Sequence, residues 1–257
     1  MGIFSKLFSK ETCVICGKEV GALSRTKLKD ETYVCFDCTK ECSYLFKPVL
    51  YDLEGFKKHI EYMKFQDELY NYYKSIDDSH KIIGMKDLFT GVIFCDEIGM
   101  FEVINSKSRN AKHKELFRYD DIMDFKMYGV ENPEGTPHKY KEVGIKIKML
   151  TNNISIGGDY HTKNYVHKYA DEFTIPLLSA TDSIDSIANN LACKHLNLIM
   201  GIAIDGKLGV YGDKVVRTEY RKIEEINRLF NRDKYSQAAD DTERKILGMT
   251  AEEKFGY

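Results

Sequence analysis

The chain has 257 residues, which is enough for one large domain or for two ordinary domains with a small appendage. Lys and Arg number 38 and Asp and Glu number 40, so the formal net charge of −2 excludes a global electrostatic attraction to nucleic acid. Apolar residues make up 43% of the chain and charged residues 30%, which excludes disorder over the whole chain.

The first ten residues carry no secretory signal, and no apolar run in the sequence is long enough to span a bilayer. We therefore expect a soluble, cytoplasmic protein whose thiols stay reduced. Lys6 and Lys10 flank apolar residues at helical spacing, which predicts a short amphipathic helix that packs on its own domain or contacts a membrane surface. Lys6 stands where N-myristoylation requires Ser or Thr, so Gly2 does not complete that motif. The apolar residues are Ile3, Phe4, Leu7 and Phe8.

Five of the seven cysteines lie between residues 13 and 42, and four of these form two C-x2-C pairs. Each pair lets two thiolates converge on one ion from a tight turn, and two pairs supply a closed tetrahedral shell. The spacing therefore predicts one structural Zn²⁺ per chain, with redox-active dithiols as the alternative. Gly17, directly after the first pair, suits a turn that needs an unusual backbone conformation. The predicted ligands are Cys13, Cys16, Cys35 and Cys38.

The second pair follows a short apolar strand pattern and precedes a helical pattern that extends to Phe46. The N-terminus of such a helix favours the thiolate forms of Cys35 and Cys38. A knuckle, a hairpin and a knuckle followed by a helix together predict a treble-clef-like zinc ribbon. Cys42 is either a surrogate ligand or a buried packing residue, and the isolated Cys95 and Cys193 are predicted to be core residues.

Residues 11–46 resemble a small four-cysteine domain found at the N-termini of uncharacterised bacterial and phage proteins. The segments that carry the resemblance are C-V-I-C-G-K-E-V-G from Cys13, L-S-R-T-K-L from Leu23 and Y-V-C-F-D-C from Tyr33. The resemblance implies a metal-stabilised module of unknown role, in a bacterial or phage setting. It implies no activity.

Four basic residues of this segment are candidates for contact with nucleic acid or with another partner. A zinc tetrathiolate carries a charge of about −2, which brings the module close to neutrality. Binding to nucleic acid requires several phosphates to be neutralised, so a solvated basic hairpin is the alternative interpretation. The candidates are Lys18, Arg25, Lys27 and Lys29.

Pro48 marks a predicted boundary, and apolar residues at helical spacing from Asp52 to about Ser75 predict a long linker helix. Residues 81–176 contain short runs rich in Val, Ile, Phe and Tyr, which predict an antiparallel sheet or small barrel of six or seven strands. Turn residues at 151–153 separate the last two runs, and a helix is predicted from about Thr162 to Phe173. The runs are Gly91–Cys95, Gly99–Ile104, Glu115–Tyr119, Ile122–Tyr128, Val143–Leu150 and Ile154–Ile156.

From Glu115 to Met127 the pattern is a strand, a turn at two aspartates and a second strand. This passage resembles bacterial PH-like and GRAM-like domains. This resemblance covers about residues 85–175 and implies a seven-stranded barrel closed by a C-terminal helix. The helix predicted at 162–173 would be that closing helix. A long insertion at 129–142 departs from that pattern. Such a fold implies a binding platform for proteins or, less often, for phosphoinositides.

Residues 177–257 are predicted to be mixed. A helix is expected from Asp182 to Leu196, capped by Thr181 or Asp182, followed by a hairpin over residues 198–211 that turns at Asp205-Gly206. A last helix is expected at about 217–234. The polar tail from Ser236 is predicted to be loosely held.

Local motifs for hydrolases, nucleotide-binding proteins and zinc proteases are absent from the sequence. The sequence thus predicts an α+β protein with a zinc ribbon at 1–48, a linker helix at 49–80, a PH-like β domain at 81–176 and a helical and hairpin region at 177–257. The predicted function is non-catalytic protein binding, as an adaptor. The alternatives are a nucleic-acid-binding regulator that uses the ribbon, membrane-surface binding by the PH-like part, and an enzyme whose site is assembled from distant residues.

Overall fold

In the computed structural model, the described parts of the chain are residues 10–156, 166–200 and 234–255. The predicted N-terminal amphipathic helix, most of the predicted hairpin at 198–211 and all but the last residue of the predicted helix at 217–234 lie outside these ranges. The start of that hairpin does not form a strand, because residues 198 and 199 belong to a helix.

Helices and strands are mixed in the described ranges, as the predicted α+β class requires. The helices are α1 (Phe36–Thr39), α2 (Leu53–Ser75), α3 (Ser106–Asn110), α4 (Leu191–Ile199), α5 (234–247) and α6 (Ala251–Phe255). The strands are β1 (Glu11–Thr12), β2 (Glu19–Val20), β3 (Arg25–Lys27), β4 (Tyr33–Cys35), β5 (Lys81–Asp87), β6 (Thr90–Cys95), β7 (Met100–Ile104), β8 (Leu116–Arg118), β9 (Ile122–Glu131), β10 (Tyr140–Ile156) and β11 (Val166–Thr181). None of the helices in these ranges combines the length and the apolar content that crossing a membrane would need.

Two larger antiparallel sheets form the β-rich part of the molecule. One has the strand order β5-β6-β7-β8 and the other β11-β10-β9, while β1-β2 and β3-β4 form two small ribbons. A 3₁₀ turn at Tyr119–Asp121 carries the chain from β8 in one sheet to β9 in the other, at the predicted aspartate turn. Both sheets end at open edges in the described residues, so the closed barrel that was expected is not observed.

The predicted strand runs from 91 to 150 coincide with β6 to β10, and two predictions beside them are wrong. Residues 166–173 form part of strand β11 rather than a helix, because β11 pairs with β10 along its whole length. The buried side chains of Phe173, Ile175 and Leu177 alternate along β11, which is the period of a strand with one face in the core. The predicted turn at 151–153 is also wrong, since β10 continues through it with a register shift between residues 150 and 154.

Three further boundaries differ from expectation. Strand β5 has no counterpart among the predicted runs, and the expected 129–142 insertion is reduced to residues 132–139. The helix predicted from residue 182 is replaced by a 3₁₀ turn at Ile184–Ile187 and by α4. Asn190 caps α4, because its side chain accepts the backbone N–H of Ala192 at 2.9 Å.

Helix α2 agrees with the predicted helix and takes part in two cores. Asp52 caps it by accepting the N–H of Gly55 at 2.8 Å. Near its N-terminus, Phe56 is fully buried among the residues of the cysteine-rich module. Farther along, Met63 and Leu69 are fully buried in a second core shared with the four-stranded sheet. A third core fills the space between the two sheets.

The C-terminal segment is packed on the protein, so the prediction of a loose tail from residue 236 is wrong. Helix α5 buries Tyr235 and Ala239, and Phe255 of α6 lies against two rings of α2, with centroid distances of 5.6 Å to Tyr62 and 6.1 Å to Phe65. The sequence suggested a tail because polar residues dominate this segment. Those polar residues find ionic partners on the sheet, as described below.

Candidate metal centre

The first knuckle of the module is a tight turn between β1 and β2. The N–H of Gly17 donates to the carbonyl of Cys13 at 2.8 Å, and the N–H of Cys13 donates to the carbonyl of Lys18 at 2.9 Å. Gly17 has a φ of +73°, which confirms that this position needs the left-handed conformation that glycine tolerates. The turn brings the sulfur of Cys16 to the same side as that of Cys13.

The second knuckle joins β4 to α1. Cys35 caps α1, and its sulfur accepts the N–H of Cys38 at 3.4 Å. The helix predicted to continue to Phe46 is wrong, because α1 ends at Thr39. The chain then turns inward, where the N–H of Ser43 donates to Nε2 of the buried His59 at 3.2 Å and Phe46 enters the module core.

The two knuckles bring together the four predicted ligands, and three of them are buried while Cys16 is exposed. The sulfurs of Cys13 and Cys38 are 3.7 Å apart, as are those of Cys16 and Cys35. All four sulfurs lie within 4.8 Å of one another. A tetrahedron with metal–sulfur bonds of about 2.3 Å has edges of about 3.8 Å. The four cysteines are therefore spaced as a closed tetrahedral metal shell requires.

The electrostatic surroundings of the sulfurs differ. Burial raises the pKa of the Cys13 thiol, but the backbone N–H groups of Cys16, Cys35 and Ile15 outweigh burial and lower this pKa to about 6. Burial raises the pKa of Cys38 above its ordinary value. A metal cation reverses such an effect, since a coordinating thiol loses its proton outright.

The remaining cysteines are packing residues. Cys42, Cys95 and Cys193 are buried, and Cys42 lies outside the group of converging sulfurs. Burial raises the pKa of Cys42 to about 12 and that of Cys193 to about 11, so both thiols stay protonated at neutral pH. The prediction that they fill the core is confirmed.

Three of the four basic residues predicted to contact nucleic acid or a partner have neighbours within the module. Two lysines are paired with exposed carboxylates, and the guanidinium of Arg25 stacks on an aromatic ring and is also close to a carboxylate. Lys29 is exposed and makes no ion pair in the part of the chain that the structure describes. The contacts are Lys18 to Asp37 at 3.1 Å, Lys27 to Glu31 at 2.9 Å, Arg25 to the Tyr33 ring centroid at 4.5 Å and Arg25 to Glu11 at 4.0 Å.

Sequence reasoning missed an interface between the module and the loop that precedes β8. His113 lies between two carboxylates, with Nδ1 2.6 Å from Asp67 of α2 and Nε2 3.2 Å from Glu41 of the module. Glu41 also accepts a hydrogen bond from Lys112, which holds the pKa of Glu41 below its ordinary value against the opposing effect of burial. The excess of basic residues at 107–114 is the sequence signal that could have indicated such a contact.

A second missed cluster surrounds Asp96, in the turn between β6 and β7. Its carboxylate lies 2.8 Å from Nε2 of His195 in α4 and accepts hydrogen bonds from the hydroxyls of Tyr119 at 3.0 Å and Tyr235 at 3.3 Å. One carboxylate thus joins four separate segments of the chain. Nothing in the local sequence around residue 96 indicates this role.

The Asp96 cluster predicts a defined pH dependence of stability. Burial raises the pKa of Asp96, but its contacts with His195, Tyr119 and Tyr235 outweigh burial and lower this pKa below its ordinary value. The stabilisation is therefore present above the unfolded pKa of about 3.9 and is lost as pH falls through the lower folded pKa. We expect Asp96→Asn to cost about 1–2 kcal/mol at pH 7, in the lower part of the range for charged hydrogen bonds because the carboxylate is partly exposed.

Urea unfolding at pH 7 and pH 3 measures this effect. The difference between wild type and Asp96→Asn should shrink at pH 3, because this pH lies below the unfolded pKa of about 3.9 and the unfolded wild-type chain then binds the proton. Asp241→Asn, at an exposed position of α5, is the matched control and should change little at either pH. A cost for Asp96→Asn that is equal at both pH values would contradict the assignment.

Comparison with known proteins is informative only for the N-terminal part of the chain. No curated protein and no solved structure matches this chain. The family match begins at β1 and extends beyond the fourth cysteine into the first turns of α2, where Phe56 packs into the module core. Residues 11–59 match the family model described as a domain of unknown function (DUF4428).

Proposed function

We propose that the four cysteines hold one structural Zn²⁺ and that the module is a treble-clef-like zinc ribbon. The spacing of the sulfurs supports this, and so does the filling of all four positions by protein thiols, which leaves no coordination site for a substrate. Zinc at this site supplies folding free energy to a module too small to be stable on its hydrophobic core alone.

We further propose that the chain is a non-catalytic, cytoplasmic binding protein whose β-rich part is PH-like. Among the described residues, the strands β5 to β11 divide into sheets of four and three and are followed by α4, which supports a relation to such platforms. The fold alone does not identify the partner. The basic residues of the ribbon favour a nucleic-acid role less, because most of their charge is balanced by neighbouring carboxylates.

The observation that carries the binding role is the hairpin tip, defined as Leu88 and Phe89 between β5 and β6. The exposed fraction is 87% for Leu88 and 53% for Phe89. The turn is fixed, because the side chain of Asp87 accepts the N–H of Phe89 at 2.7 Å. The guanidinium of Arg109 lies 4.2 Å from the centroid of the Phe89 ring. Two apolar side chains are thus held in water beside a cation.

Such a tip is suited to anchoring a protein partner. Aromatic and aliphatic anchors contribute most to affinity when they fill a pocket, and a preformed turn loses little conformational entropy on binding. The cation beside Phe89 favours a partner that places a carboxylate at the edge of its pocket. An anionic membrane is the rival partner, and it is less favoured because such surfaces recruit clusters of about four to eight unpaired basic residues.

Serine substitutions at the hairpin tip test this proposal. We expect the double variant Leu88→Ser/Phe89→Ser to lose a defined set of proteins captured from native lysate by the wild-type chain, with affinity reduced about tenfold or more. Quantitative mass spectrometry of the captured proteins measures the loss. Leu23→Ser is the matched control, because Leu23 is 79% exposed on the zinc ribbon and far along the chain from the tip.

A second arm of the experiment addresses the membrane. Co-sedimentation with phosphatidylserine vesicles that depends on the tip residues would replace the protein partner with a lipid surface. Equal capture of proteins by wild type and the double variant, without vesicle binding by either, would remove the hairpin tip from the proposed function.

A further inference from the structure

The loop between β7 and β8 concentrates positive charge. We define the basic loop as residues 105–116, which includes the first residue of β8. It begins with a capping box in which the side chain of Asn105 accepts the N–H groups of Lys107 and Ser108 at 2.9 and 3.0 Å. Its basic and acidic residues are Lys107, Arg109, Lys112, His113, Lys114 and Glu115.

Much of what holds the second half of this loop comes from the cysteine-rich module. Glu41 contacts Lys112 and His113, and the hydroxyl of Ser43 donates to Glu115. Both module residues lie in the turn that begins directly after the second knuckle, so Glu41 is only three positions past the ligand Cys38. On the side of α2, Asp67 contacts His113 and the amide side chain of Gln66 accepts the N–H of Leu116 at 3.0 Å.

The other end of the loop reaches the hairpin tip. Arg109 ends near Phe89, and its carbonyl accepts a hydrogen bond from Lys114 at 2.9 Å, which ties the first half of the loop to the second. A continuous series of contacts therefore runs from Cys38 through Glu41 and the basic loop to Phe89.

We propose that metal occupancy of the four-cysteine site controls the order of the basic loop and, through Arg109, the presentation of the hairpin tip. Four thiolates at this spacing repel one another unless a cation balances their charge, and a module of this size unfolds when its metal is removed. Glu41 and Ser43 then leave Lys112, His113 and Glu115, while the contacts from α2 remain. The loop then changes from an ordered to a mobile segment. Its positive charge is no longer balanced by Glu41. The proposal rests on the structural metal proposed above and adds regulation of the binding surface to it.

Hydrogen exchange of the full chain, followed by mass spectrometry, tests the proposal without any partner. Peptides covering residues 105–116 are compared in the zinc-loaded protein and after chelation, with residues 143–149 of β10 as an internal reference. We expect exchange in the loop to become about tenfold faster or more on chelation, since charged hydrogen bonds are lost there, while β10 stays protected. The zinc content is measured in the same samples.

Variants of the zinc-loaded protein separate the effect of the Glu41 contacts on the loop from the effect of the metal itself. Glu41→Gln should accelerate exchange in the loop while the zinc content stays unchanged. Asp37→Asn is the matched control, because Asp37 lies in the adjacent second knuckle and its ion pairs with Lys18 and Lys40 stay within the module. It should leave the loop unaffected.

The outcomes distinguish the proposed regulation of the loop from the proposed structural zinc site on which it rests. Protein that carries no zinc refutes the structural site, and the regulation with it. Protein that binds zinc but shows equal loop exchange before and after chelation refutes the regulation alone. If chelation unfolds β10 as well, the zinc-loaded Glu41→Gln variant decides, and unchanged loop exchange in that variant overturns the proposal.

Discussion

Replacing Cys38 with serine should abolish zinc binding and unfold the cysteine-rich module. A serine hydroxyl is a poor substitute for a thiolate, and structural zinc sites contribute apparent binding free energies of about 10–16 kcal/mol, which a small module cannot replace. We expect the zinc content to fall from one ion per chain to near zero. The protection of amides in residues 11–50 should be lost in hydrogen exchange.

Cys42→Ser is the matched control for this prediction. Cys42 is as buried as Cys38 and lies only four residues from it, but it is outside the group of converging sulfurs. The Cys42→Ser variant should keep its zinc, and its free energy of unfolding should fall by about 1–3 kcal/mol because a hydroxyl is buried. Zinc retained by Cys38→Ser would contradict the assigned ligand set. The predicted boundary at residue 48 is tested in the Cys38→Ser variant by whether the amides of β9 to β11 stay protected from hydrogen exchange.

Replacing Arg118 with leucine should detach the C-terminal segment and strongly destabilise the protein. The guanidinium donates to both carboxylate oxygens of Asp120 at 3.0 and 2.8 Å, to Asp240 at 2.8 Å and to Glu243 at 3.0 Å. The Glu243 side chain is only 5% exposed, and burial raises its pKa against the opposing effect of Arg118. Removing one partner from a buried ionic network costs about 3–5 kcal/mol because charge is left uncompensated.

Urea unfolding gives the free energy, and limited proteolysis reports the release of residues 234–255. Arg244→Leu is the matched control, since Arg244 is exposed and its carboxylate contact with Asp241 is 3.9 Å long. That variant should stay within about 0.5 kcal/mol of wild type, as surface substitutions generally do. Equal effects of the two leucine variants would show that Arg118 does not hold the segment.

The convergence of the four cysteines could be predicted from sequence because each knuckle is local. Two cysteines separated by two residues meet in a single turn, and Gly17 supplies the backbone conformation that the turn needs. Helix α2 and strands β6 to β9 were recognisable for a similar reason, since the period of their apolar residues reports which face is buried.

The failures arose where tertiary pairing outweighed local pattern. Aromatic residues at spacings of four before Phe173 fit a helix, but β10 offers hydrogen bonds along the whole of β11. The polar residues at 151–153 fit a turn, but a register shift absorbs them within the hairpin. The interface of Glu41 with Lys112 and His113 joins residues more than 70 positions apart, and no local rule predicts such a contact.

Helix α2 packs into both the core of the cysteine-rich module and the core beside the four-stranded sheet, and this determines where the chain can be divided. A fragment beginning at residue 81 would expose Ile98, Met100 and Leu116, which Met63 and Leu69 of α2 help to bury. A cysteine-rich module ending at residue 48 would lose Phe56 from its own interior. Any gene rearrangement that moves the module to another protein must therefore carry the first turns of α2 with it. The shortest β-containing fragment that folds alone should begin near Asp52.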